Sequence, residues 1–247
     1  MERQRSELAR GMDDHRYLDS TRSVALAALP NSRGQYAMIS IWGGATSRTL
    51  RAHWACEELA LAYTPHLIGS RTGATQSDEF RRLNPKEKIP VLCDGDLVLS
   101  ESAAIVTYLA DTYGRGDLAP LPFTPERALY NQWLSFIQME LDAHTLYVMR
   151  KHKDLANLYG EAPAAIDTAI AGFNKQIQVV VDHLADRPFL LGDSFTGADI
   201  LLTSVLTWAS NYGFELDAAL QDYTRTQTAR PAYRRAAKLN FSISAGA

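Results

Sequence analysis

The chain has 247 residues, a formal net charge of -3 and two cysteines. That length accommodates two modest domains with cores of their own, and interspersed acids and bases leave no basic footprint for nucleic acid or an anionic membrane. No apolar run approaches the roughly 20 residues that a spanning helix needs, and Cys56 and Cys93 form neither a Cys-x-x-Cys pair nor a metal-ligand spacing, which fits a reducing cytoplasm and no metal.

Residues 1–37 scatter Arg, Asp and Glu among small residues without sustained periodicity and are expected to be a disordered leader. Met38 to Trp42 then reads as a short buried strand. Gly43-Gly44 breaks it, and Thr46-Ser47 opens a helix running to about Ala60. Tyr63 to Ile68 suits a second strand, so the first unit is βαβ. Ser77 to Leu83 is a short helix closed by Asn84-Pro85. Pro90 to Cys93 and Leu97 to Leu99 form two antiparallel strands, with Asp94-Gly95 the signal for a type I′ turn between them. The second of these strands delivers Ser100-Glu101-Ser102 to a helix whose apolar face is Ala104, Ile105, Tyr108 and Leu109. Free N–H groups and a small hydroxyl at that helix mouth make a seat for a carboxylate, although a serine before a helix is more often only its cap. The order of elements describes an α/β thioredoxin-like domain, βαβ-ββα with a mixed sheet, over residues 38–113.

Residues 114–124 are rich in Gly and Pro and read as a linker. Everything from 125 to 241 reads as an all-helical domain. Thr124-Pro125-Glu126 supplies an N-cap, a first-turn proline and an acid on the positive end of the dipole. Two helical stripes follow, Leu129, Trp133, Phe136, Ile137 and Leu141, then Ile166, Ile170, Phe173, Ile177, Val181 and Leu184, and the two helices should pack together. Thr196-Gly197-Ala198-Asp199 is a capping box before a helix to about Ala209 that is apolar nearly all round. Arg230-Pro231 begins a last short helix.

Four of these stretches resemble the glutathione transferase family, over essentially Met38 to Leu239. Asn84-Pro85-Lys86-Glu87-Lys88-Ile89-Pro90 is similar to its N-P-x-G-K-V-P loop, with Glu87 in place of the frequent Gly. Glu101-Ser102-x-Ala104-Ile105 resembles its E-S-x-A-I signature, Gly192-Asp193-x-Phe195-Thr196-x-Ala198-Asp199 its helix cap, and Arg51-x-x-Trp54-x-x-Glu57-Glu58-Leu59 its first helix. The resemblance implies a cis Pro90 that frees the Ile89 backbone to pair with the cysteinyl part of glutathione. It also implies that Glu101 and Ser102 hold the γ-glutamyl end and that Lys88 reaches the glycyl carboxylate. A hydroxyl after the first strand would activate the thiol, and Thr46 and Ser47 are both placed for it with Arg48 beside them. Spacing back from Glu57-Glu58 favours Thr46, and the common bacterial Ser-Arg pattern favours Ser47. Ser47 is preferred, with Thr46 the alternative. That turn contains neither cysteine nor tyrosine, which counts against the cysteine-dependent and tyrosine branches of the family.

By the same resemblance the second substrate, a small and largely apolar electrophile, lies between the domains against the helix from Thr124, with Tyr130, Trp133 and Phe136 the candidates for its wall. An aromatic stripe at helical spacing is more often core. His53, His66, His144, His152 and His183 show no metal pair on one helix face. The expected protein is a cytoplasmic, homodimeric glutathione transferase with glutathione as co-substrate. The alternatives are a non-catalytic binding or interaction protein of the same fold, or a glutathione-dependent reductase or ether-cleaving enzyme.

Overall fold

The computed structural model describes residues 39–243; the expected leader, residues 1–37, lies outside them. Four strands, β1 (Ile39–Trp42), β2 (Tyr63–His66), β3 (Val91–Asp94) and β4 (Leu97–Ser100), form one mixed sheet in the order β2-β1-β3-β4. β1 runs parallel to β2 and antiparallel to β3, which pairs antiparallel with β4. Alternation along β1 sends Ile39 and Ile41 into the main core, while Trp42 stacks on His66 and tilts against Phe80. Helices α1 (Ser47–Glu58), α2 (Asp78–Leu83) and α3 (Ser102–Tyr113) complete this domain. Both α1 and β2 stop two residues before their expected ends.

The hairpin turn sits one residue later than expected. Asp94 pairs with Leu97, so Gly95-Asp96 is the two-residue loop, and only Gly95 has positive φ (58°), as a type II′ turn with glycine first requires. Asp94 is kept in the strand by its carboxylate, which accepts hydrogen bonds from the hydroxyls of Tyr108 and Tyr113 on α3. Those tyrosines turn to the hairpin, so α3 buries Ala103, Ile105, Val106, Leu109 and Ala110, and Ala104 is exposed.

In the second half, α4 (Pro125–Phe136) continues unbroken through Ile137–Leu146, Tyr147–Met149 and Arg150–Asp154, and the segments Ile137–Leu146 and Arg150–Asp154 have π geometry, with i→i+5 bonding. α5 (Pro163–Leu184) packs along it, as the two stripes imply, although Leu129 is half exposed and Tyr130 and Leu134 take the buried face instead. α6 (Gly197–Asn211) is the central helix. The carboxylate of Asp199 closes its capping box and also accepts from the Leu190 N–H and the Tyr223 hydroxyl. Gly197 opens that helix because a Cβ there would lie 2.5 Å from Val106 and 2.6 Å from the Tyr130 hydroxyl. α7 (Ala218–Thr228), which no sequence stripe announces, buries only Leu220, Tyr223 and Gln227. α8 (Pro231–Asn240) returns to α1, where Arg230 grips Glu58 at 2.6 and 2.8 Å and Arg235 grips Glu57 at 2.6 Å.

The two halves meet on α1, which packs against α3, α6 and α8 and is buried from Thr49 to Cys56. The 114–124 segment is tied down rather than loose: Leu118 and Ala119 are buried, and the Leu118 carbonyl accepts the Gly197 N–H at 2.7 Å.

Candidate active site

The turn after β1 is held from three sides. Gly43 and Gly44 donate their N–H groups to the His66 and Ile68 carbonyls, both at 2.9 Å. Gly43 has φ 131°, and a Cβ on it would lie 2.8 Å from the Ile89 Cβ, so glycine is what lets the loop before Pro90 come against this turn. The Ile89–Pro90 bond is cis. His53 reaches back from α1, donating from Nε2 to the Gly43 carbonyl at 3.0 Å and meeting the Tyr63 hydroxyl with Nδ1 at 3.2 Å. Its burial lowers the imidazole pKa against the opposing pull of the Gly43 carbonyl, which favours the neutral ring. From the other side Asn240, fully buried at the end of α8, accepts the Ala45 N–H on its carbonyl at 2.6 Å, accepts the Thr49 hydroxyl on Oδ1 at 2.6 Å and donates from Nδ2 to the Thr46 carbonyl at 3.1 Å.

Thr46 is the N-cap of α1. Its hydroxyl accepts the Thr49 N–H at 3.1 Å, and the Thr49 hydroxyl accepts the Thr46 N–H at 3.3 Å. The cap therefore occupies the Thr46 side chain. Ser47, the first helical residue, is partly exposed, and among the described residues its hydroxyl has no hydrogen-bond partner. The N–H groups of Ser47 and Arg48 are first-turn donors with no intrahelical acceptor.

Ser102 begins α3 and is 5% exposed. Its hydroxyl accepts from Arg51 Nη1 at 3.2 Å, and Arg51, wholly buried, also donates to Ser204 Oγ at 2.6 Å and to Asp142 Oδ2 at 2.9 Å. Asp142 receives Arg48 on its other oxygen. Burial alone would raise the Asp142 carboxyl, but the guanidiniums of Arg51 and Arg48 hold it below its ordinary value. The exposed carboxylate of Glu101 meets Lys86 Nζ at 2.7 Å, and Lys86 also donates to Ser100 at 2.9 Å. Glu101 has φ 74° and ψ 110°, a strained backbone for a residue with a Cβ, of a kind that costs about 1–3 kcal/mol and clusters at ligand sites. Lys88 is exposed, with its carbonyl held by Asn84 Nδ2 at 2.7 Å.

The aromatic residues expected to wall the second pocket lie elsewhere. Tyr130 is fully buried, with its hydroxyl on Thr107 at 3.0 Å, and Trp133 packs on Phe136 and His183, lining with Val179 a groove of about 430 Å³ between α4 and α5. It is the later part of the helix that meets α1. On an α-helix residues five apart point about 140° from one another, but here the Tyr147 N–H bonds to the Asp142 carbonyl, so π winding sets Asp142 and Tyr147 one above the other. Both face Arg48, whose guanidinium carbon lies 4.4 Å from the Tyr147 ring centre and 5.9 Å from that of Trp208.

Arg51 and Asp142 were not singled out by their chemistry. Their signal is an arginine inside the apolar run Leu50 to Cys56 and one acid between Leu141 and Leu146, charges that stay buried only when paired. Neither cysteine is poised as a nucleophile: burial pushes the Cys56 thiol up to about 12 and raises that of Cys93 as well. Among the described residues no three His, Cys, Asp or Glu side chains are grouped to hold a metal ion, and no helix is long and apolar enough to cross a membrane.

Residues 37–111 match the model of the glutathione S-transferase N-terminal domain, and residues 163–237 match that of the glutathione S-transferase C-terminal domain. The chain belongs to the glutathione S-transferase family. Glutathione S-transferase 2 of Anopheles gambiae is 37% identical over 145 residues, 58% of this chain and 66% of that protein. Glutathione S-transferase D7 of Drosophila melanogaster is 31% identical over 160 residues, 64% of this chain and 68% of that protein. A theta class glutathione S-transferase from Xanthomonas axonopodis pv. citri, solved with glutathione bound, superposes with a TM-score of 0.67 at 28% identity, covering 84% of this chain and 99% of its own. The transferase-family fold thus carries, in this chain, a thioredoxin-like sheet domain followed by helices, as the sequence order implies.

Proposed function

We propose that this glutathione S-transferase conjugates the glutathione thiolate to a small electrophile. The observation that carries the reading is the Ser47 hydroxyl, uncommitted among the described residues at the start of α1; the turn before it packs at Gly43 against Ile89 of the cis Ile89–Pro90 bond, and the same helix sends Arg51 to Ser102. In this reading the Ile89 backbone pairs with the cysteinyl unit. Ser102, with the free N–H groups of α3, seats the γ-glutamyl carboxylate, and Glu101 accepts from the α-amino group. Lys88 takes the glycyl carboxylate. The Ser47 hydroxyl and the positive end of α1 favour thiolate over thiol at neutral pH. Sulfur then attacks the electrophilic carbon, the leaving group departs with its bonding pair, and positioning of both reactants supplies much of the rate. Arg48, paired to Asp142, adds positive charge next to Ser47 without donating a proton.

The test is the thiolate absorbance of bound glutathione together with conjugation kinetics. Ser47→Ala should lose about 10²-fold in kcat/KM, the scale for one donor to a developing anion. Thr46→Ala should instead cost roughly 1 kcal/mol of stability as a lost cap. Thiolate formation that survives Ser47→Ala and fails in Thr46→Ala would reverse the assignment, and no calorimetric signal with millimolar glutathione would remove the enzyme reading altogether. As part of the same reading, the working unit is a homodimer.

A further inference from the structure

Resting on that reading, we propose that the second-substrate half of the cleft selects an aromatic electrophile that carries its own carboxylate, seated against Tyr147 and held by Arg48, Lys151 and Arg71. Three elements bring these groups together. Arg48 comes from α1 and lies over the Tyr147 ring at 4.4 Å; Lys151, one turn along the π-wound helix, has its Nζ 5.2 Å from the same ring and 5.7 Å from that of Tyr159. Arg71, from the loop after β2, crosses the gap to donate to the Tyr159 hydroxyl at 3.4 Å. The rings of Tyr147, Tyr159 and Trp208 supply apolar area beside these cations, and the cations set its charge.

The balance of charge decides what fits. Arg48, Arg71, Lys88 and Lys151 act on Tyr147, and Asp142 is already shared by Arg48 and the buried Arg51. Among the described residues Arg71, Lys88 and Lys151 make no ion pair. The field is felt by Tyr147, whose phenol burial would raise but which Lys88, Arg71 and Arg48 hold below its ordinary value. Glutathione bound as thiolate is a dianion, with its glycyl carboxylate on Lys88, and it leaves positive charge uncompensated on the Tyr147 side. A neutral apolar electrophile would leave those cations without a counterion. An arene carboxylate pairs with them and packs its ring against the aromatic side chains.

The experiment compares 4-chloro-3,5-dinitrobenzoate with its methyl ester as electrophiles for the full-length enzyme with glutathione. The new C–S bond forms as the C–Cl bond breaks, chloride leaves with the bonding pair, and the thiol proton goes to solvent. With each kcat/KM divided by the uncatalysed rate constant of the same electrophile with glutathione, which removes the greater intrinsic reactivity of the ester, wild type should prefer the carboxylate by about tenfold in this normalised ratio, the scale of one partly exposed charge-assisted contact. Raising ionic strength should shrink that preference. The double variant Lys151→Gln/Arg71→Gln should bring the ratio to near one, with the change in KM for the electrophile. A wild-type ratio at or below one overturns the proposal, as does an unchanged ratio in a folded double variant. An increase in KM for glutathione with the ratio intact also overturns it and assigns these cations to the glycyl carboxylate. Failure of the underlying reading looks different: calorimetry with glutathione alone shows no binding, and neither electrophile reacts.

Discussion

Asn240 and Thr49 are separated by 191 positions, yet they share a 2.6 Å hydrogen bond inside the turn that presents Ser47. Asn240→Ala removes the acceptor for the Thr49 hydroxyl and the donor to the Thr46 carbonyl, while Leu50 N–H still satisfies that carbonyl at 3.0 Å. The expected cost is about 1–3 kcal/mol, together with a higher pKa of the bound glutathione thiol, read from thiolate absorbance against pH. A folded variant with an unshifted profile would make Asn240 a packing residue and nothing more. His53 holds the same turn, and its folded pKa is depressed by burial. Its contribution to stability should be complete above an unfolded value of about 6.5 and decline as pH falls toward the folded pKa. Urea midpoints between pH 5 and 8 should therefore drop toward the acid side in wild type, and His53→Gln, which can still donate to the Gly43 carbonyl, should flatten that slope. Neither residue is legible in the sequence, because nothing near them in the chain states what they will touch. The position of Ser102 and Glu101 at the mouth of α3 is legible because a strand and a helix start flank them within a few residues.

At the scale of elements, local patterns carried the reading as far as each element's own residues decide its shape. The α6 capping box, the first-turn prolines and the two packing stripes all act within a turn or two of chain. The hairpin turn shifted by one residue because Asp94 answers to Tyr108 and Tyr113 on a different element. The long helix is the larger departure, since a 3.6-residue stripe does not announce π winding, and it is the winding that puts Asp142 and Tyr147 on the same face as Arg48. Tyr130, Trp133 and Phe136, candidates by resemblance for the second-substrate wall, belong to the α-wound part before it. Asp142 is thus the joint between α1 and this helix. Asp142→Asn keeps the shape but leaves Arg51 charged, buried and without its carboxylate. Removing one partner of a buried pair costs about 3–5 kcal/mol, so a fall of that size in unfolding free energy is expected by denaturant titration. A change below about 1 kcal/mol would mean that Ser204 and Ser102 suffice to hold Arg51.

Over the whole molecule, part of the exposed apolar surface gathers on two faces. β4 is an edge strand, and it exposes Leu97 and Val98, 38% and 44% accessible. The α4 and α5 faces expose Leu129, Met139 and Val179 around the groove that Trp133 and Phe136 line. An exposed apolar edge strand invites uncontrolled pairing unless something covers it. A two-fold axis that lays the β4 face of one copy on the α4–α5 face of the other would cover both surfaces twice with one set of contacts. Stable interfaces of this kind bury about 800 Å² per partner, and these residues span both halves of the chain. Light scattering at micromolar concentration should return twice the 27.4 kDa chain mass. Val98→Asp with Val179→Asp, a carboxylate on each half of the patch, should shift the population to monomer while the far-ultraviolet spectrum holds. A wild-type monomer at that concentration would sink the dimer. A variant that stays dimeric would move the interface away from β4 and α5, toward another exposed apolar site such as Leu121 and Phe123 in the segment ahead of α4.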